Sequence, residues 1–172
     1  MTALKFRWVI GYIVYLVTSA ILLLLQSTGI MTLQLGTASA VIILPLVVYA
    51  GYYFGEYQGA LFGLISGAVA DAFSSTLVFN TVILTVIGFM AGFLVNYFFN
   101  RNFAAAVVLN IGGAVVYFFS KWLIIYAFVD PAAWFVLTRF SLTSCIYTSV
   151  LGVLAYFLLN LILGKLPKIT KF

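Results

Sequence analysis

Histidine is absent from the chain, and cysteine occurs once, at Cys145. Without those ligands, no zinc, haem or iron–sulfur site of the usual kind can be assembled. No intrachain disulfide can form, and neither a Ser–His–Asp nor a Cys–His catalytic set is available. Charge is scarce too: of 172 residues, 8 are Lys or Arg and 3 are Asp or Glu. That is 6% charged, against about 25% in a soluble domain. Three carboxylates leave little material for general acid–base chemistry, so composition weighs against an enzyme. No phosphate loop, nucleotide fingerprint or metal-ligand motif occurs, and no cofactor is implied.

What is present is apolar. Hydrophobic residues make up 66% of the chain, and the mean hydropathy is +1.25. Such a chain cannot clothe itself in a polar surface and is too hydrophobic for disorder. An integral membrane protein remains. A bilayer span takes about 20 apolar residues, so six spans use most of the length and leave a single transmembrane domain over residues 1–172. The spans are predicted at Trp8–Leu25, Leu35–Phe54, Gly59–Ala70, Leu77–Phe99, Phe103–Val129 and Trp134–Leu163. Thr18-Ser19-Ala20 could pass for a signal-peptide cleavage site, but the apolar run continues through Ile21–Leu25, which favours a retained span. Pro45 is expected to bend the second span, and Asp130-Pro131 to end the fifth. Lys5, Arg7, Arg101, Lys165, Lys168 and Lys171 fall on one side of this topology, and the opposite loops hold no cation. That asymmetry predicts both termini in the cytoplasm. It also reads the net charge of +5 as topology and contact with anionic membrane lipids, with no nucleic-acid partner.

The strongest local pattern is a ladder of glycines four residues apart: Gly51, Gly55, Gly59, Gly63 and Gly67, with Asp71 on the same register. Residues at this spacing share one helix face. A face without side chains lets another backbone approach closely. The ladder therefore predicts helix packing within the bundle or a groove for a partner, and Gly88 and Gly92 form a second, ordinary small-residue pair. Asp71 is expected to cap a helix or loop, or to enter an ion pair or site. Lys121 and Arg139 flank the Asp130-Pro131 turn at similar distances and reach similar depths on an antiparallel hairpin. An anion beside them is expected from Asp71, Asp130, a lipid phosphate or a ligand, unless each side chain snorkels to the interface alone. Asn110, Tyr117 and Lys121 share one face. Ser141, Ser144 or Cys145, Thr148 and Gly152 share another. Both read as bundle-interior faces. Trp8, Trp122 and Trp134 partly suit interfacial belts.

From Leu44 to Asn102 the sequence resembles the bacterial rod shape-determining MreD family. The residues that carry the resemblance are Pro45, then Gly55, Gly59, Gly63, Gly67 and Asp71 in GEYQGALFGLISGAVAD. Asn80 follows after a short polar segment, then an apolar span with Gly88 and Gly92, closed by Asn100-Arg101-Asn102. The match covers about a third of the chain. Ser74-Ser75-Thr76-Leu77-Val78-Phe79 departs from it by lacking the Gly that family members often place just before the Asn. The resemblance implies a six-helix, all-α membrane protein related in fold to the S components of energy-coupling-factor transporters. It also implies a non-enzymatic role in the bacterial cytoplasmic membrane. There, such proteins associate with MreC and, through it, with MreB, RodA and a penicillin-binding transpeptidase that build the wall and set cell shape. The alternative is a substrate-binding S component itself, with Asp71, Lys121 and Arg139 lining an outward-facing pocket. The first span, WVIGYIVYLVTSAILLLL, shows no Ala-x-x-x-Ala-like docking motif of that family.

Overall fold

The computed structural model describes residues 13, 15, 17–21, 34–35, 38–74, 78–99, 101–126 and 133–163. Among these residues the architecture is all-α apart from one small pair of strands, β1 (Gln34–Leu35) and β2 (Ala38–Ser39). These run antiparallel, with Gln34 opposite Ser39. The helices follow as α1 (Ile43–Phe54), α2 (Glu56–Ala72), α3 (Phe79–Tyr97) and α4 (Phe103–Lys121). α4 runs on into a π-helical stretch, Trp122–Tyr126. A short α5 (Ala133–Val136), a second π-helical stretch (Leu137–Ser141) and α6 (Leu142–Leu163) complete the order.

Among the described residues, three helical stretches are long and apolar enough to cross a membrane: Phe79–Tyr97, Phe103–Ile125 and Leu137–Leu161. Their outward faces are apolar, with Val82, Val86 and Met90 exposed on α3, Val108 and Val115 on α4, and Ile146, Val150 and Leu154 on α6. Side chains of that kind suit lipid and not water. The protein is a membrane protein.

The second span differs most from its sequence boundaries. Residues Leu35–Phe54 are apolar but for Thr37 and Ser39, yet the first part pairs as β1–β2 and only 12 residues are helical. At about 1.5 Å per residue, that helix is much shorter than the bilayer core. Every residue of α1 except Tyr53 is buried, the signature of a helix enclosed by neighbours on all sides. Hydropathy does not separate such a core helix from a span. Pro45 sits in the first turn and not mid-span. The missing N–H there costs the helix no hydrogen bond, so the expected bend has no cause. The third span is longer than expected, 17 residues from Glu56 to Ala72. The fifth, as far as Tyr126, and the sixth are continuous helix in which the 3.6-residue period loosens at the two π-helical stretches. The first span falls largely outside the described residues. Of it, Tyr15 is buried, donates its hydroxyl to the Leu46 carbonyl, and packs edge-on to Phe54 at 5.3 Å.

The core gathers around α1. Leu44, Val47, Val48 and Tyr49 meet Leu84, Ile87 and Ala91 of α3 and Ala106 and Ala114 of α4. Polar ties cross it: Tyr49 donates to the Gly152 carbonyl at 2.8 Å, and Thr148 accepts from the Val41 N–H at 3.2 Å. The expected polar face of the sixth span thus points inward at Ser144, Thr148 and Gly152.

Candidate functional site

The glycine ladder meets α3 backbone to backbone. A Cβ built on Gly51 would stand 2.8 Å from the Gly92 nitrogen, and one on Gly67 would stand 2.7 Å from the Asn80 carbonyl oxygen. One on Gly63 would stand 2.7 Å from the Leu84 carbonyl carbon and 2.9 Å from the Thr85 Cα. From the other side, Gly88 lies against Gly59, and Gly92 against Glu56. The two glycine runs therefore form one seam, filled along its length by the chain's own helices. Gly55, between α1 and α2, has a φ of 99°. This left-handed conformation suits glycine. It reverses the chain so that Gly51 and Gly59 touch across the turn.

A carboxylate closes each end of the seam. At one end Asp71, in the last turn of α2, reaches the N-terminus of α3. Its Oδ1 accepts from the Asn80 N–H at 3.0 Å and from Asn80 Nδ2 at 2.9 Å. Its Oδ2 accepts from the Thr81 N–H at 2.8 Å and from the Thr81 hydroxyl at 2.7 Å. The residue before α3 is Val78, which cannot cap it, and α3 has no side-chain cap of its own kind there. Asp71 supplies the missing acceptor from the neighbouring helix. Its negative charge also lies against the positive end of the α3 dipole. Tyr117 of α4 extends the network, donating its buried hydroxyl to Asn80 Oδ1 at 2.7 Å. At the other end Glu56, in the first turn of α2, accepts from Asn96 Nδ2 of α3 at 2.9 Å. Two of the chain's three carboxylates thus tie the same pair of helices at opposite ends.

No family model, curated protein or solved structure matches the chain.

The expected outer cluster of Asp71, Asn80, Lys121, Asp130 and Arg139 divides. Asp71 and Asn80 come together as described. Neither Lys121 nor Arg139 forms an ion pair with Asp71 among the described residues, because the α3 N–H groups and their side chains saturate the carboxylate. Lys121 is part-buried, one turn beyond Tyr117 on α4. Arg139 is exposed, its guanidinium 5.9 Å from the centre of the Phe135 ring. Asp130 lies outside the described residues. The face of Asn110 and Tyr117 is interior, as expected. Asn110 is fully buried and donates to the Ser149 carbonyl at 3.0 Å, and its Oδ1 has no hydrogen-bond partner. Gly152 makes room for it: a Cβ there would fall 2.5 Å from the Asn110 Cγ.

Sequence reasoning missed Thr81 as a ligand of Asp71 and Glu56–Asn96 as the second clamp. Thr81 carried a weak signal, since it stands beside Asn80 at the start of an apolar run. Glu56 and Asn96 are 40 residues apart and share no local pattern.

Proposed function

We propose that this chain is a non-catalytic subunit of the bacterial cell-wall elongation machinery. It spans the cytoplasmic membrane six times with both termini in the cytoplasm, and has a fold akin to transporter S components. In this reading it binds MreC and, through it, joins MreB, RodA and a penicillin-binding transpeptidase in controlling cell shape and peptidoglycan synthesis. One observation carries the proposal. The glycine ladder, Asp71 and Asn80, through which the sequence resembles the MreD family, form a single physical unit: seam, carboxylate and capped helix start. A scaffold needs a rigid frame more than a reacting centre. A backbone-to-backbone seam closed by hydrogen-bonded carboxylates supplies one.

The test is depletion in a rod-shaped host that carries no second copy, combined with co-purification on tagged MreC. Rounded cells and retention on MreC are expected. Unchanged rods together with no retention would refute the proposal. A vitamin found by mass spectrometry in the detergent-purified chain would favour the S-component alternative.

A further inference from the structure

Two cations stand at one end of the α4–α6 hairpin without a counter-charge among the described residues. Lys121 lies four residues from the end of the apolar stretch Phe103–Ile125, about 6 Å along the axis. Arg139 lies two residues inside the start of Leu137–Leu161, about 3 Å. The arms meet here, the Trp122 ring lying 5.7 Å from that of Trp134. Both cations therefore come to one edge of the membrane, at the depth where headgroup phosphates begin. Neither cationic side chain has a hydrogen bond or ion pair among the described residues, and Arg139 meets only the Phe135 ring, at 5.9 Å. Of the carboxylates that the sequence pattern offers them, Asp130 lies outside the described residues, and Asp71 has both oxygens occupied twice over. Arg139 is exposed, but Lys121 is only partly so, and a part-buried ammonium with no counter-ion is costly in apolar surroundings. Trp and Tyr mark headgroup level in membrane proteins, and of the paired tryptophans Trp122 follows Lys121 directly while Trp134 precedes Arg139 by five residues.

We propose that Lys121 and Arg139 together hold the phosphate of an anionic phospholipid at this edge, near the Trp122–Trp134 pair. The proposal rests on the membrane placement alone and stands apart from the wall-elongation reading. The test is native mass spectrometry of the full chain in detergent with equimolar phosphatidylglycerol and phosphatidylcholine. The native chain is expected to retain phosphatidylglycerol about fivefold over phosphatidylcholine. The double variant Lys121→Met/Arg139→Met loses that preference, and Lys121→Arg/Arg139→Lys keeps it. Equal retention of the two lipids by the native chain would overturn the proposal, as would an unchanged preference in the methionine variant. Displacement of the lipid by inorganic phosphate would show a free-anion site and overturn the lipid assignment. Thermal unfolding in phosphatidylcholine micelles separates site from fold. Lys121→Met removes an uncompensated charge there and keeps or gains stability. A marked loss would mean an intrachain partner and would also overturn the proposal.

Discussion

Replacing Gly63 by alanine is the most direct probe of the seam. Ordinary van der Waals contact begins near 3.4 Å, and the new Cβ would stand 2.7 Å from the Leu84 carbonyl carbon and 2.9 Å from the Thr85 Cα. Both neighbours are backbone atoms of α3, so no side chain can swing aside. The Leu84 carbonyl oxygen stands nearer still, so the helices must part by at least about 0.7 Å, and a gap of that size forfeits roughly a quarter to a half of each dispersion contact along the seam. Overpacking of this kind costs about 1–3 kcal/mol. Alanine returns up to about 1 kcal/mol in helix propensity. Gly112 provides the control, because it is exposed on α4 and a Cβ there meets nothing within 4 Å. Gly112→Ala keeps the propensity gain without the clash. Gly63→Ala is therefore expected to be less stable than Gly112→Ala by about 2 kcal/mol, measured by reversible unfolding in mixed detergent micelles. Equal midpoints for the two variants would refute the close approach of α2 and α3.

The clamps and the core make further predictions in the same assay. Asp71→Ala leaves two N–H groups and two side-chain donors of α3 unsatisfied, and is expected to cost about 1–3 kcal/mol. Thr81→Val removes one of those donors and should cost no more than about 1 kcal/mol; a loss as large as that of Asp71→Ala would contradict the shared network. Tyr117→Phe breaks only the bond to Asn80, also for about 1 kcal/mol, and its effect should vanish in an Asn80→Ala background. Gly152→Ala displaces the Asn110 amide from the Ser149 carbonyl, so it should be destabilising alone and nearly silent once Asn110 is alanine. Simple additivity in that double-mutant cycle would deny the contact.

The seam was legible because glycine at every fourth position can share a helix face and can do little else there. Its occupant was not, since the ladder fits α3 or a foreign helix equally well. Asp71 on the same register pointed to the end of the seam. The charge pattern, however, pointed to Lys121 and Arg139 as partners. The N–H groups at the start of α3 took precedence because Val78 leaves them uncapped and the turn delivers them directly to the carboxylate. The ends of α1 were illegible for a related reason. Leu35–Phe54 is apolar but for Thr37 and Ser39, and hydropathy cannot tell two short paired strands and an enclosed helix from one span. The π-helical stretches at Trp122–Tyr126 and Leu137–Ser141 left no trace in a window that sums hydropathy without regard to turn length.

Seam and clamps solve different halves of one problem. Between helices in lipid no hydrophobic force selects a partner, so close packing of small residues must do so. A four-residue ladder has an inherent ambiguity. Sliding α2 along α3 by one rung, about 6 Å, places each glycine where the next one was, with almost the same contacts. The carboxylates remove that ambiguity. One rung of slip would carry Asp71 beyond reach of the Asn80 and Thr81 N–H groups and would pull Glu56 from Asn96 at the same time, leaving both charges without their donors in a poorly solvated setting. The ladder thus sets how closely the two helices approach, and Asp71 and Glu56 set which rungs face each other. Were the clamps merely additive to a seam that already fixes its own register, Glu56→Gln/Asp71→Asn would lower stability and leave disulfide cross-linking between single cysteines on α2 and α3 confined to the native pairs. If they set the register, the same variant will also cross-link cysteine pairs offset by four residues, a product the native carboxylates forbid.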